Sequence, residues 1–365
     1  MVNKNKILIL GFVLVFILVF ILRFIALDMD PTTVDDYGTG WADEGAYIHN
    51  AKNKVLFGQW ELENDLWNPI YISPTFTFFQ YLSFSALGVS TFSSRLVPAI
   101  LGILSILFIS VILMSKNKEQ GIIYFILLGL NIMLIAFSRV AMLESAILFF
   151  IVIILGFIIQ DKKYSWFFVG FFISFLIFTK LTSMFFIFAI PLSLLIYSFI
   201  YKSKPALKKF FLLVFGGITS MTLWMLWLIP NFISWKFMNF GSYGGRIYFT
   251  IYKLLSVPLF VLKFSLLNQL VIILVIISIF FTFRVIKRRE KISYLDFLLI
   301  VILIMFFLQT LVTDYPLRRF VLIVPIILLI ATRFIYKIKK INYSENIKVK
   351  GKTLVVIILL LYIII

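Results

Sequence analysis

Two adjacent carboxylates, Asp43 and Glu44, stand in the stretch "WADEGAYIHNAKNKVLFGQW", between Trp41 and Tyr47. A carboxylate beside an acceptor hydroxyl acts as a general base, and one held against a membrane face meets lipid-carried reagents there. The pair also suits a plainer task. "ADEGAYIHNAKNKVLF" predicts a short helix with acids in its first turn and Lys52 and Lys54 near its end, which complements the helix macrodipole. Composition leaves both readings open.

The cations that would serve such a base are spread along the chain. "FSRVAMLESAILFF" carries Arg139 and Glu144 between apolar runs, where unpaired charge is costly, so the two are expected to pair or to wall a cavity. In "FTKLTS", Lys180 ends an apolar run and either snorkels to the interface or neutralises a phosphate. "TDYPLRRFVLIVPIILL" opens a helix with Arg318 and Arg319, against the dipole. That placement asks for an anion, either Asp314 or a phosphate, and Arg grips phosphate bidentately. Arg246 in "YGGRI" is a weaker version of the same arrangement. His49 is the sole histidine and cysteine is absent, so neither a classical zinc site nor a thiol nucleophile is supported. No cofactor is indicated; a carboxylate-bound divalent cation is compatible with the acidic residues.

The elements that must position these residues are membrane spans. The chain is 62% hydrophobic and 14% charged, with mean hydropathy +1.08, and apolar runs recur from end to end. These properties predict an all-α polytopic membrane protein. Spans are expected near 7–27, 95–114, 121–137, 144–160, 164–180, 183–201, 210–230, 258–283, 294–311, 319–336 and 353–365, eleven in all, the last cut short at the chain end. The first lacks a small-residue cleavage site and reads as a retained span, not a signal peptide.

The net charge of +18 follows from this topology. With a cytoplasmic N-terminus, the inner segments hold 22 of the 34 Lys and Arg but 5 of the 16 acids, leaving +17 inside and +1 outside. That is a positive-inside distribution in contact with the lipid bilayer, and it excludes a nucleic-acid patch. Ser73 to Gly88, "SPTFTFFQYLSFSALG", is short, begins Ser-Pro and carries Gln80, so an interfacial or re-entrant helix is expected. The first outer loop then runs over 28–94 and holds nine of the eleven outer acids. A second outer loop, 231–257, is aromatic, basic and Gly-rich. No internal repeat is visible, and residues 1–365 read as one transmembrane domain.

The order of these motifs resembles a family. A first span, an outer "DE" followed by Tyr47, a short apolar helix ending in Gly88, "SSRLVPAILG", "SRVAMLE", "TK" and "RRFVLIVP" together resemble the GT-C glycosyltransferases over about residues 1 to 335. Within that superfamily the resemblance is to the protein O-mannosyltransferase and aminoarabinose-transferase group, glycosyltransferase family 39-like. It implies a plasma-membrane enzyme with a polyprenyl-phosphate sugar donor and an extracytoplasmic active cavity. Asp43 matches the group's catalytic acid and Glu44 its neighbour, Arg95 the Arg of the second span, Arg139 and Glu144 the Arg and acid of the third-fourth turn, and Lys180 the Lys after the fifth span. The chain departs from the group at Ser73-Pro74, where a charged or His residue commonly precedes Pro, and at Glu144, commonly Asp. The sequence stops at a truncated last span, so no C-terminal soluble domain is expected within it.

The residues fit that chemistry on their own terms. A sugar phosphate leaves as an anion, so one base on the acceptor and cations around the departing charge are sufficient. Asp43 is expected to be the base, with Glu44 beside it. Lys180, Arg318, Arg319 and Arg246 are the expected phosphate contacts, and Arg95, Arg139, Glu144 and Tyr47 the expected cavity residues. The acceptor, whether protein, lipid or cell-wall polymer, is not legible. The alternative reading, a transporter or flippase of lipid-linked saccharides, predicts charges at mid-span, where this chain is nearly all Ile, Leu and Phe.

Overall fold

A computed structural model describes residues 4–29, 43–63, 73–180, 183–231, 293–312 and 321–340. Among the described residues every regular element is a helix. In chain order they are α1 (Lys4–Phe24), α2 (Asp43–Phe57), α3 (Pro74–Leu87), α4 (Thr91–Lys116), α5 (Lys118–Gly129), α6 (Ile132–Ser138), α7 (Glu144–Gln160), α8 (Ser165–Ile177), α9 (Met184–Tyr201), α10 (Lys204–Asn231), α11 (Tyr294–Val312) and α12 (Val324–Lys340). The expected spans at 258–283 and 353–365 lie outside the described residues. Each of the others falls on a helix.

Length and apolarity qualify α4 and Lys204–Leu226 of α10 to cross a membrane, and the α5–α6 pair makes a third if its halves are one span. α7, α8, α9 and α11 are apolar but shorter. The expected span at 121–137 is broken: α5 and α6 meet at 62°. Asn131 is the local cause, since its side chain accepts from Leu134 N–H at 3.1 Å and caps α6.

The chain divides into two compact units, one comprising residues 1–112, 129–184 and 211–243, the other 113–128, 185–210 and 244–365. In the first, α7 is buried along most of its length. Phe150 of α7 stacks with Phe79 of α3 and Phe172 of α8, and its ring lies tilted against Phe175 of α8. α8 and α10 approach closely because both are glycine at the crossing: a Cβ on Gly170 would lie 1.8 Å from Leu213 O, and one on Gly216 would lie 1.9 Å from Phe167 O. A hydroxyl bond between Ser174 and Ser220 fastens the same crossing. On α10 the opposite face exposes Phe211, Phe215, Ile218 and Leu226, as a lipid-facing helix does.

In the second unit, Tyr124 Oη donates to Pro325 O at 2.9 Å, joining α5 to α12. Ser193 and Tyr294 share a hydrogen bond of 2.9 Å between α9 and α11, and Arg333 pairs with Asp296 at 2.9 Å between α12 and α11.

Candidate active site

The predicted site residues that the structure describes all belong to the first unit. α2 starts at Asp43, as the sequence predicts, and ends where Gly58 takes φ +76°. Asp43 is its first residue, one turn before Tyr47; the Asp43 side chain lies outside the described residues, as do Arg246, Arg318 and Arg319.

Glu44 is buried, and its carboxylate is fully engaged. Arg95 Nε donates to its Oε1 at 2.6 Å and Arg95 Nη2 to its Oε2 at 2.8 Å, a bidentate pair. Oε1 also accepts the backbone N–H of Ala141 at 2.8 Å. Glu44 therefore clamps α2 to the first turn of α4 and to the connection between α6 and α7. Arg95 sits near the positive end of α4, an unfavourable place for a lone cation, and the Glu44 carboxylate offsets that.

A second cluster forms one turn along. Lys180 Nζ donates to Glu144 Oε1 at 2.9 Å and lies 5.8 Å from the centre of the Tyr47 ring. Glu144 opens α7, where an acid suits the helix dipole, and Lys180 follows the C-terminal end of α8, where a cation does. Ser183 holds the loop, its hydroxyl donating to Leu176 O at 3.0 Å and Lys180 O at 2.7 Å. The sequence expected Arg139 and Glu144 to pair or to wall a cavity. Glu144 accepts from Lys180, and Arg139 donates to carbonyls at the end of α1.

α1 ends in a collar of arginines. Arg139 donates to Leu22 O at 2.9 Å and Ala26 O at 3.4 Å, and Arg95 Nη1 donates to Leu27 O at 2.8 Å. Arg23, fully buried, donates through Nη1 to Val19 O at 3.1 Å and Gly129 O at 2.9 Å. Carbonyls at a helix C-terminus lack intrahelical donors and carry partial negative charge, and Leu22 O, Leu27 O and Gly129 O are those that these guanidiniums serve. Through Gly129 O, Arg23 also caps the end of α5 at its break. Sequence reasoning did not single out Arg23; its place inside an apolar run, with Leu22 before it and Phe24 after it, was the available signal.

Arg23, Arg95, Arg139 and Lys180 outnumber the two carboxylates that pair with members of this set, Glu44 and Glu144, in a largely dry setting. Among the described residues no group of three or more His, Asp or Glu could hold a metal ion. His49 bonds Asn53 at 3.1 Å along α2.

No protein-family model matches the sequence, and no curated protein matches it significantly. Solved structures do match the fold. The crystal structure of ArnT from Cupriavidus metallidurans in the apo state superposes with TM-score 0.65 at 15% identity, covering 96% of this chain and 62% of that one. The fold is that of ArnT. A second structure of ArnT from that organism, bound to undecaprenyl phosphate, superposes with TM-score 0.61 at 15% identity over the same shares of each chain. The chain thus spans less than two thirds of the length of ArnT. The expected GT-C-like polytopic bundle, resembling the aminoarabinose-transferase group, is borne out as a fold.

Proposed function

We propose that the protein is a membrane glycosyltransferase that moves a sugar from a polyprenyl-phosphate donor to an acceptor hydroxyl on the extracytoplasmic face, with inversion. The observation that carries this reading is Lys180, oriented by Glu144 and Tyr47 one helical turn from Asp43, beside the arginine collar and in the fold of ArnT. That ArnT was crystallised with undecaprenyl phosphate supports the donor class.

Asp43 takes the proton as the acceptor O–H bond breaks. The acceptor oxygen bonds the anomeric carbon, and the bond from that carbon to the phosphate oxygen breaks, its electron pair leaving with the polyprenyl phosphate. Lys180, Arg246, Arg318 and Arg319 stabilise the departing phosphate. Glu44 and Arg95 hold α2, and with it Asp43, in register with the α6–α7 turn. Arg139, Glu144 and Tyr47 line the same region.

The test is a transfer assay on the purified protein with a panel of polyprenyl-phosphate sugars, run on wild type and Asp43→Asn. Wild type should consume one donor and Asp43→Asn should not. Full turnover by the variant would remove Asp43 as base; consumption of no donor by wild type would favour the transporter reading.

A further inference from the structure

The first two turns of α3 carry buried polar atoms that the fold does not use. Ser73 Oγ, Thr75 Oγ1, Thr77 Oγ1 and Gln80 Oε1 have no hydrogen-bond partner among the described residues, and none of the four residues is more than 2% exposed. Ser73 is the N-cap residue of α3, yet its hydroxyl makes no capping bond. Ser73, Thr77 and Gln80 stand at i, i+4 and i+7, so they form one stripe of the helix. Gln80 is fixed in orientation, because its Nε2 donates to Ser94 O at 2.8 Å and its Oε1 is left to accept. Native proteins satisfy the great majority of buried polar atoms, so a run of four on one short helix points to a ligand-facing surface.

The atom types select the ligand. Gln80 Oε1 accepts only, so it needs a donor, which a phosphate dianion does not have and a polyprenyl chain lacks altogether. Hydroxyls of a sugar ring both donate and accept, which matches three hydroxyls beside one carbonyl oxygen. The location agrees. Thr75 N–H donates to Phe178 O at 3.2 Å, which seats the first turn of α3 two residues from Lys180.

We propose that the Ser73, Thr77 and Gln80 stripe of α3, flanked by Thr75, takes the hydroxyl groups of a sugar ring, that of the lipid-linked donor, and so helps to choose which sugar is transferred. This rests on the function proposed above. It also gives a use to the polar residues that, in the sequence, only argued against a membrane span.

The experiment measures binding of undecaprenyl phosphate and of hexose-bearing polyprenyl phosphates to the purified full chain, as wild type, Thr77→Val, Thr77→Ser and Gln80→Leu. Wild type should bind one hexose-bearing lipid at least tenfold more tightly than the bare lipid. Thr77→Val and Gln80→Leu should bind the bare lipid as wild type does, which shows that they are folded, and should lose the gain; Thr77→Ser should keep it. A wild type with no gain from any hexose, or apolar variants that retain the gain, overturns the proposal while leaving the donor class intact. A free oligosaccharide serves as a second arm: if the apolar variants lose only its binding, the stripe serves the acceptor and the donor assignment is overturned. If wild type binds no polyprenyl phosphate at all, the functional reading itself fails.

Discussion

Glu44 and Arg95, 51 residues apart in the chain, form a bidentate ion pair with contacts of 2.6 and 2.8 Å in a site closed to solvent. Removing one partner strands the other charge in a dry place, which costs about 3–5 kcal/mol. Arg95→Ala and Glu44→Ala are therefore expected to lower the thermal unfolding midpoint in detergent sharply, and the double variant to lose less than the sum of the two. Additive losses would show that the pair is not coupled.

Asp43→Asn is expected to leave that midpoint unchanged while reducing transfer by about 10²–10⁴-fold, the usual worth of a positioned general base. Donor-lipid affinity should stay at the wild-type value. A parallel fall in affinity and turnover would mean that Asp43 binds donor and does not take the proton.

Lys180→Met should weaken undecaprenyl phosphate binding by roughly 10- to 100-fold, the worth of a hydrogen bond to a charged group of about 1.5–3 kcal/mol. Glu144→Gln keeps the cation and a hydrogen-bond acceptor of similar shape, and should bind the lipid at least as well as wild type. Loss of binding in Glu144→Gln with retention in Lys180→Met would reverse the roles assigned to the pair.

Gly170→Ala puts a Cβ 1.8 Å from a backbone oxygen, whereas Gly217→Ala, on the facing helix, brings its Cβ only to 3.6 Å from Gly170 O. Overpacking of the first kind costs about 1–3 kcal/mol. The second replaces a helical glycine at a gain of up to about 1 kcal/mol. Opposite shifts in the unfolding midpoint are expected, and equal shifts would deny that backbone contact sets the α8–α10 spacing.

The helices were legible in the sequence because an apolar run of span length has few other uses, and α2 was legible from its acidic start and basic end. The break between α5 and α6 was not, since Asn131 is one polar residue in a run that otherwise reads as a span. The charged residues at the ends of the apolar runs were visible as residue types, and in the first unit Glu44 packs on Arg95 while Glu144 and Tyr47 pack on Lys180. Partnership was not visible. Glu144 takes Lys180, 36 residues on, because helix packing and not closeness in sequence brings the two together. The unsatisfied hydroxyls of α3 were equally hidden, because only packing decides whether a Ser or Thr finds a partner.

The arginine collar also sets a schedule for biogenesis. Leu22 O waits for Arg139, 117 residues later; Gly129 O closes on Arg23 from 106 residues away; and Glu44 meets Ala141 after 97. A ribosome adds about 5–20 residues per second. The first helix therefore waits several seconds before its C-terminal carbonyls and the Arg23 guanidinium meet these partners. Any nascent chain arrested before residue 139 carries an α1 whose Leu22 carbonyl still lacks its guanidinium.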